Sequence, residues 1–449
     1  MKKVLVLSPY FPPYGGGGII RVHNFVKYLP ENGYNPVVLA LKPQYYENLY
    51  SIKDLEREYN DSVKVFRTPG LEPVAKEIKE KACGVKEKSY RDKILLSILK
   101  KVANTFLIPD RMILWSPYAI KRGIEIIREE NIELIFSTSP PFSTHLLARA
   151  LSKLSGLRYL VDYRDDWVGN SYFGTSYNAV RRSMEKWMEH VILKGASGVV
   201  TVTEESSELF RRKYPDLDIG KIRLIPNGFD PDYFLSRSGD SDVSRNGGRI
   251  NFVHTGSLTS KRDPIYFLTA LRDLLREEPD YANRIKISFL GFVHHKHQEM
   301  IKEIGLNGSY YQRHNLAPEE VASFLKNEAD VCLVFQRRSE GGSTAIPGKV
   351  YEYLASRKPI LCMDDNGATT KLLSNIGSNL NVAYDDVKSI KVQLKTIIED
   401  YDRIAERFDW GTPLLKRYNR RAHAGQLAKF FNEVLGVKNY VDDNIPVNV

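Results

Sequence analysis

One pattern is written twice along the 449 residues: a short, branched apolar run, a turn rich in Gly, Pro or Ser, then a helical stretch leading to the next apolar run. A run such as Val4-Leu5-Val6-Leu7 has no polar alternation. That suits a strand buried on both faces, the situation in a parallel sheet. The first copy predicts strands at Lys3–Ser8, Asn35–Leu41, Val63–Phe66, Leu134–Ser137, Tyr159–Asp162 and Gly198–Val202. Helices are predicted at Ile19–Leu29, Ala119–Glu130, Ser143–Leu154 and Ala179–Leu193, and Leu224–Asp230 reads as a strand ending in a turn. The second copy predicts strands at Ile250–Gly256, Ile285–Leu290, Val331–Phe335 and Pro359–Met363, with helices at Pro264–Leu275, Pro318–Leu325 and Gly348–Ala355. The fold class is therefore α/β, two Rossmann-like doubly wound domains facing across a cleft.

The boundaries follow from composition. Residues 1–235 form the first domain, the polar stretch 236–248 is the linker, and 249–413 form the second domain. A last helical stretch, Leu414–Val434, follows the second sheet, and the residues from Lys438 are polar. Three cysteines, Cys83, Cys332 and Cys362, lie far apart without CxxC spacing, which fits a reducing compartment. The four-residue apolar run at the N-terminus is too short for a signal peptide, and nothing approaches the roughly 18 apolar residues of a membrane span. The expected location is the cytoplasm, or peripheral attachment at the inner face of the cell membrane.

The net charge of +10 calls for an anionic partner: phosphorylated metabolite, lipid headgroup or nucleic acid. Nucleic acid is disfavoured, because aromatic residues are not interleaved with the basic run. Between Ala75 and Lys101 nine Lys/Arg stand against four Asp/Glu. Within residues 78–106, Ile94, Leu95, Ile98, Leu99 and Val102 recur at helical spacing beside Arg91, Lys93, Lys100 and Lys101. That pattern fits an anionic membrane surface, or a helix with one face on the core.

Four stretches carry candidate chemistry. Gly15-Gly16-Gly17-Gly18 joins a strand to a helix, where backbone N–H groups attract anions. A dinucleotide fingerprint is disfavoured: Arg21 stands where a third glycine belongs, and Leu41-Lys42 replace the acid ending the second strand. Asp162-Tyr163-Arg164-Asp165-Asp166-Trp167 sets charges beyond a strand's C-terminal end, as a ligand-facing cluster or as ion pairs holding a loop. Gly256-Ser257-Leu258-Thr259-Ser260-Lys261-Arg262 places two cations beside a helix N-terminus, suited to a diphosphate unless they are surface charges. Gly341 to Ala355 is a Gly-rich loop opening a helix, with Glu352 about one turn inside, where a carboxylate can accept hydrogen bonds from a ribose diol or simply cap the helix. His294-His295-Lys296-His297 lacks a Cys or acid at ligand spacing and reads as a loop.

Taken in order, these motifs resemble the GT-B glycosyltransferases, and within them the family-4-like retaining enzymes of surface-polysaccharide synthesis. The resemblance spans about residues 1–435 and is carried by six stretches. They are Val4–Ser8 with Pro9-Tyr10-Phe11-Pro12-Pro13 and the glycines, Ser139-Pro140-Pro141 with His145, Asp162–Trp167, Pro226-Asn227-Gly228-Phe229-Asp230, Gly256–Pro264, and Pro347-Gly348-Lys349-Val350-Tyr351-Glu352-Tyr353-Leu354.

It implies a donor site of Gly256, Ser257, Ser343, Thr344, Gly348, Lys349 and Glu352, with Glu352 on the donor ribose. Lys261 or Arg262 would stabilise the leaving diphosphate, and no metal or other cofactor would be required beyond the nucleotide-sugar co-substrate. His145, Arg164 and Asp165 join the catalytic set, while Gly15, Gly16, Gly17, Gly18, Asp166 and Trp167 line the acceptor side. The C-terminal helix, 414–435, would pack back on the first domain. The family's second Glu, eight residues before the ribose-binding one, is replaced by Thr344, with Lys349 or the Ser343 and Thr344 hydroxyls as substitutes.

The implied partners are a nucleotide-diphosphate sugar and a glycan or lipid-linked acceptor. A nucleotide-sugar epimerase or hydrolase of the same fold would consume donor without acceptor. A non-catalytic protein binding anionic surfaces would be indifferent to Glu352→Ala.

Overall fold

Strands buried on both faces dominate the computed structural model, which describes residues 1–13, 17–43, 63–70, 107–168, 179–235, 248–258, 262–306, 308–314, 316–336, 344–377, 380–407 and 412–437. The basic run 78–106, most of the polar stretch 236–248 and residues Gly15, Gly16, Lys261 and Ser343 lie outside them.

The chain divides into two compact units. The first takes the described residues up to Ile225 and those from His423 onward, and the second runs from Pro226 to Ala422. In the first, β1 (Lys2–Leu7), β2 (Tyr34–Leu41), β3 (Lys64–Thr68), β4 (Leu134–Ser139), β5 (Arg158–Tyr163), β6 (Gly198–Thr201) and β7 (Ile222–Leu224) form a parallel sheet in the order β3-β2-β1-β4-β5-β6-β7. Register sets Val6 of β1 beside Val38 of β2 and Phe136 of β4.

Because side chains alternate faces along a strand, β1 supplies two cores. Leu5 and Leu7 join Val37, Leu39 and Ile135 on one face, covered by α2 (Ser116–Glu129), α3 (Ser143–Ser155) and α4 (Ala179–Gly195). Val4 and Val6 join Val38 and Phe136 on the other, covered by α1 (Gly17–Tyr28). A further helix of this unit, α5 (Glu204–Lys213), is N-capped by Thr203 and carries Glu204 and Glu205 in its first turn and Arg211, Arg212 and Lys213 in its last, matching its dipole.

The second unit opens with the short α6 (Pro231–Phe234). Its sheet contains β8 (Ile250–Thr255), β9 (Ile285–Leu290), β10 (Tyr310–Arg313), β11 (Val331–Gln336), β12 (Ile360–Asp364) and β13 (Asn381–Val382) in the order β10-β9-β8-β11-β12-β13, again parallel. The crossovers carry α7 (Ile265–Glu277), α8 (His295–Ile304), α9 (Pro318–Asn327), α10 (Gly348–Ala355) and α11 (Ala368–Asn375), followed by α12 (Val387–Glu406) and α13 (Thr412–Arg417). The chain ends its described part with α14 (Arg420–Leu435). Both sheets change direction at their first strand, between β1 and β4 and between β8 and β11. Ligand crevices of open α/β sheets form at such points.

Three expectations change. The seventh strand is Ile222–Leu224, so Pro226–Asp230 is not strand; Asp230 instead caps α6 through the Asp232 amide at 3.0 Å. The histidine run is not a loop. His294 caps α8 and His297 Nε2 donates to the Asp263 carboxylate at 2.8 Å, so the run is taken up by helix structure.

The C-terminal helix is broken in two. Leu415 and Tyr418 bury in the second unit's core, whereas Ala424, Leu427, Ala428, Phe430 and Phe431 bury in the first unit's. Between them Tyr418 and Arg420 pair their backbone with Phe229, at 3.0 and 3.1 Å, instead of continuing a helix.

Phe431 is fully buried with its ring 5.2 Å from Tyr34 and 5.6 Å from Phe136. Truncating such a side chain leaves a cavity, so Phe431→Ala should cost about 3–5 kcal/mol. Urea unfolding monitored by circular dichroism checks this; an unchanged midpoint would mean that α14 contributes little to the first core.

Candidate functional site

In the second unit the crossover loops after β8 and β9 are stapled together at the switch point. The Gly256 amide donates to Leu290 at 2.7 Å and the Leu258 amide to Phe292 at 2.8 Å. Gly256 sits at φ +90°, a left-handed conformation natural to glycine. Its missing side chain also makes room: a Cβ there would lie 3.3 Å from the amine of Lys349.

Helix α10 is anchored above the same strand ends. Tyr353 lies in its interior and accepts the Thr255 amide at 2.9 Å. Gln336, the last residue of β11, donates to the Ala345 carbonyl at 3.1 Å and accepts from Thr369 at 2.7 Å, fixing the approach to α10. The helix therefore begins, at Gly348 and Lys349, where its dipole and first amides face the strand ends.

Lys349 lays its amine against the Thr255 carbonyl and 3.0 Å from His254 Nε2. The other ring nitrogen of His254, Nδ1, donates to the Leu333 carbonyl at 2.9 Å. Burial beside Lys349 disfavours the charged ring, so Nε2 of the neutral imidazole accepts from Lys349. Burial pushes the Lys349 ammonium well below its usual range; nearby Arg262 acts in the same direction and Glu352 opposes both. His254 is likewise pushed down, by burial and then by Lys349.

Glu352 follows one turn after Lys349 on α10. Burial raises its carboxyl, and Arg420 and Lys349 pull it back down. Arg420 lies near Gly348 as well, 3.9 Å from where a Cβ would stand. The second unit thus gathers Gly256, Ser257, Arg262, Gly348, Lys349 and Glu352 on its switch point, with partly buried Thr344 on the segment leading into α10. Sequence reasoning missed His254 and Arg420. His254 looked like one more residue of a buried strand, although a histidine inside an apolar strand is itself a signal. Arg420 had none, being far along the chain and inside a helix taken as continuous.

Asp364, at the end of β12, is occupied otherwise: it accepts from the Gly367 amide at 3.0 Å and from the Thr370 hydroxyl at 2.8 Å, capping α11. Among the described residues no group of three His, Cys, Asp or Glu side chains is arranged to hold a metal ion.

The first unit corrects several assignments. Arg164 donates to the backbone carbonyls of Ser139, at 2.9 Å, and of Pro140 and Gly18. Its guanidinium ties the β4 and β5 ends to the start of α1; it is a clamp on backbone, with Asp165 as an electrostatic neighbour. Gly18 is exposed at the start of α1, and Gly17 begins the helix.

His145 is completely buried, 2.8 Å from the Ser137 hydroxyl, its ring 4.6 Å from that of Tyr163. It lies in the core of the first unit. Trp167 is stacked on Phe142 with ring centroids 5.0 Å apart, and Asp166 is buried. Neither lines an open surface, because the β5 loop folds back onto α3 once Phe142 offers an apolar face. The N-terminus of α3 is taken by Asp110, which accepts from the Phe142 and Ser143 amides at 2.8 and 3.0 Å.

Residues 15–233 match the family Glycosyltransferase Family 4. No curated protein sequence matches the chain. Among solved structures, sucrose-phosphate synthase from Thermosynechococcus elongatus is similar, with a TM-score of 0.66 at 14% identity over 98% of this chain and 100% of that one. HepE of Anabaena in complex with UDP and glucose has a TM-score of 0.62 at 14% identity, covering 96% and 100%. A mutant of S. aureus TarM, in complex with Fondaparinux, alpha-GlcNAc-glycerol and UDP, has a TM-score of 0.62 at 10% identity, covering 96% and 100%. At these identities the likeness is one of fold, and the fold is GT-B.

The buried histidine of the first unit makes a testable statement about pH. Burial pushes His145 down to about 3, with Asp162 opposing and Arg164 assisting. In the unfolded chain the ring titrates near 6.5, so on acidification the unfolded state takes up a proton that the fold excludes. Stability present above pH 6.5 is therefore lost as pH falls from 6.5 toward 3, by about 2 kcal/mol at pH 5. His145→Gln should reduce the stability difference between pH 7.5 and pH 5 by that amount in urea titrations. An undiminished pH dependence would show that the ring is charged in the native state.

Proposed function

We propose, from the match of residues 15–233 to Glycosyltransferase Family 4, that this protein moves a sugar from a nucleotide-diphosphate sugar to a glycan or lipid-linked acceptor of the cell surface, with retention. The observation that carries the reading is the half-buried Lys349 amine, set at the end of β8 beside Gly256 and one turn from Glu352 on the same helix. A diphosphate set against that helix N-terminus meets the first amides, Lys349 and Arg262. A ribose set one turn along meets the carboxylate of Glu352.

As the sugar–phosphate bond breaks, negative charge grows on the diphosphate while the sugar becomes oxocarbenium-like. Fixed cations and a helix end stabilise that separation without reorganising. Thr344 stands where the family pattern has a Glu, and Lys349 on the same segment brings positive charge to the diphosphate. The structurally similar HepE holds UDP and glucose, and TarM holds UDP. UDP is thus the first nucleotide to test.

Two measurements check the site. Glu352→Gln should lower sugar transfer at least about 100-fold, chiefly through weaker donor binding, while EDTA leaves the wild-type rate unchanged. Activity retained within a few-fold in the variant would remove Glu352 from the reaction.

The second concerns protons. An amine held well below its ordinary range by burial becomes more basic when an anion arrives, so nucleotide binding should take up protons. Calorimetry of UDP binding at pH 7.5, in buffers of different ionisation heat, should show net uptake that disappears in Lys349→Met. Binding without proton uptake in the wild type would mean that this amine does not meet the phosphates.

A further inference from the structure

Helix α4 buries two acids alongside Ile192 and Leu193, and leaves a second row of apolar residues facing outward. Glu185 is buried and paired with buried Arg181 at 2.8 Å, and Arg181 also donates to the Pro109 carbonyl at 2.9 Å. Glu189, completely buried, accepts from Lys213 at 3.0 Å and from the Tyr214 hydroxyl at 2.6 Å. On the opposite side Val180, Met184 and Trp187 are 68%, 42% and 63% exposed, and half-buried Val191 continues the row. Their spacing of four, three and four residues makes one stripe along the helix. Lys186 and Lys194 are exposed on one side of that stripe, Lys194 in contact with Asp216 at 3.3 Å.

A helix that buries its carboxylates in salt bridges while presenting a tryptophan, a methionine and two valines to water is not arranged for solubility. Aromatic and aliphatic side chains flanked by Lys suit the boundary between headgroups and acyl chains of an anionic bilayer. The charge argues against a second copy of this chain as the occupant. Self-pairing would bring the cationic flanks together on a chain that already carries +10.

We infer that the Val180–Met184–Trp187 face of α4 docks this protein on an anionic lipid surface. No helix among the described residues is long and apolar enough to cross a membrane, so attachment through them is to one leaflet. The donor site plays no part in the binding, which occurs without nucleotide or acceptor.

The test is sedimentation of the full chain with vesicles, comparing wild type with the double variant Met184→Ser/Trp187→Ser. Both substitutions fall on exposed positions, and an unchanged thermal melt verifies that the variant is folded. With vesicles of phosphatidylglycerol and phosphatidylcholine at low salt, the wild type should partition at least about tenfold more strongly than the variant. Binding should weaken with added salt and on vesicles of phosphatidylcholine alone. Equal partitioning of variant and wild type would place any membrane contact elsewhere and overturn the proposal. So would a wild type that stays in the supernatant, or a variant whose only change is a smaller assembly in analytical ultracentrifugation, the mark of a second copy on this face. Each of these results leaves the glycosyl-transfer reading standing, because that is read from sugar transfer to a soluble acceptor.

Discussion

Parallel strands can be joined only by crossovers that carry the chain back over a face of the sheet, so both faces are covered and every backbone group inside must be paired. In both units this leaves the loops beyond the C-terminal strand ends as the place where amides, carbonyls and helix N-termini stay available. The order β10-β9-β8-β11-β12-β13 sends successive crossovers to opposite sides from β8, and the loops after β8 and before α10 diverge there. Gly256, Lys349 and Glu352 converge because that topology has one such point. Mutations that loosen Tyr353 from Thr255 or Gln336 from Ala345 act on the site by moving the helix that carries it.

The two units treat buried charge differently. In the first, Arg21 forks onto Asp162 at 2.8–3.2 Å and donates to the Ile225 carbonyl at 2.9 Å, while Thr138 completes the carboxylate at 2.8 Å. Losing one member of such a buried pair costs about 3–5 kcal/mol, because the remaining charge has no partner. Arg164 and Asp110 are similarly engaged with backbone. These are groups that hold shape.

In the second unit Lys349 and Glu352 are half-buried with their charged forms disfavoured, and their neighbours only partly compensate. A fold tolerates that arrangement where something of opposite charge completes it. The contrast separates architecture from chemistry better than residue type does, since both units offer Arg, Asp and His at strand ends.

Much of this was legible from residue order. Val4–Leu7, Tyr34–Leu41 and Ile285–Leu290 are apolar runs that only a doubly covered strand accommodates, so the twofold α/β pattern followed from local sequence. Glu352 and Lys349 were visible because a glycine-rich segment opened a helix immediately before them. Less periodic elements were missed: β10 is half-buried edge strand, and the ladder alone makes it one.

Several residues of the first unit expected at the site are turned inward for a physical reason. A motif shows that His145, Arg164 and Trp167 lie near strand ends, but not which way they point. Packing turned His145 onto Tyr163 and Trp167 onto Phe142, and three carbonyls captured Arg164.

Local sequence by itself determined the element types, the two sheets and the helix start that carries Lys349 and Glu352, since periodicity and turn chemistry act over a few residues. Tertiary structure decided what no short window contains. It broke the last helix at Tyr418–Asn419, because one half buries in the second core and the other in the first. It set His254 against Lys349 across 95 residues, and turned the apolar stripe of α4 outward by giving its acids partners in the core.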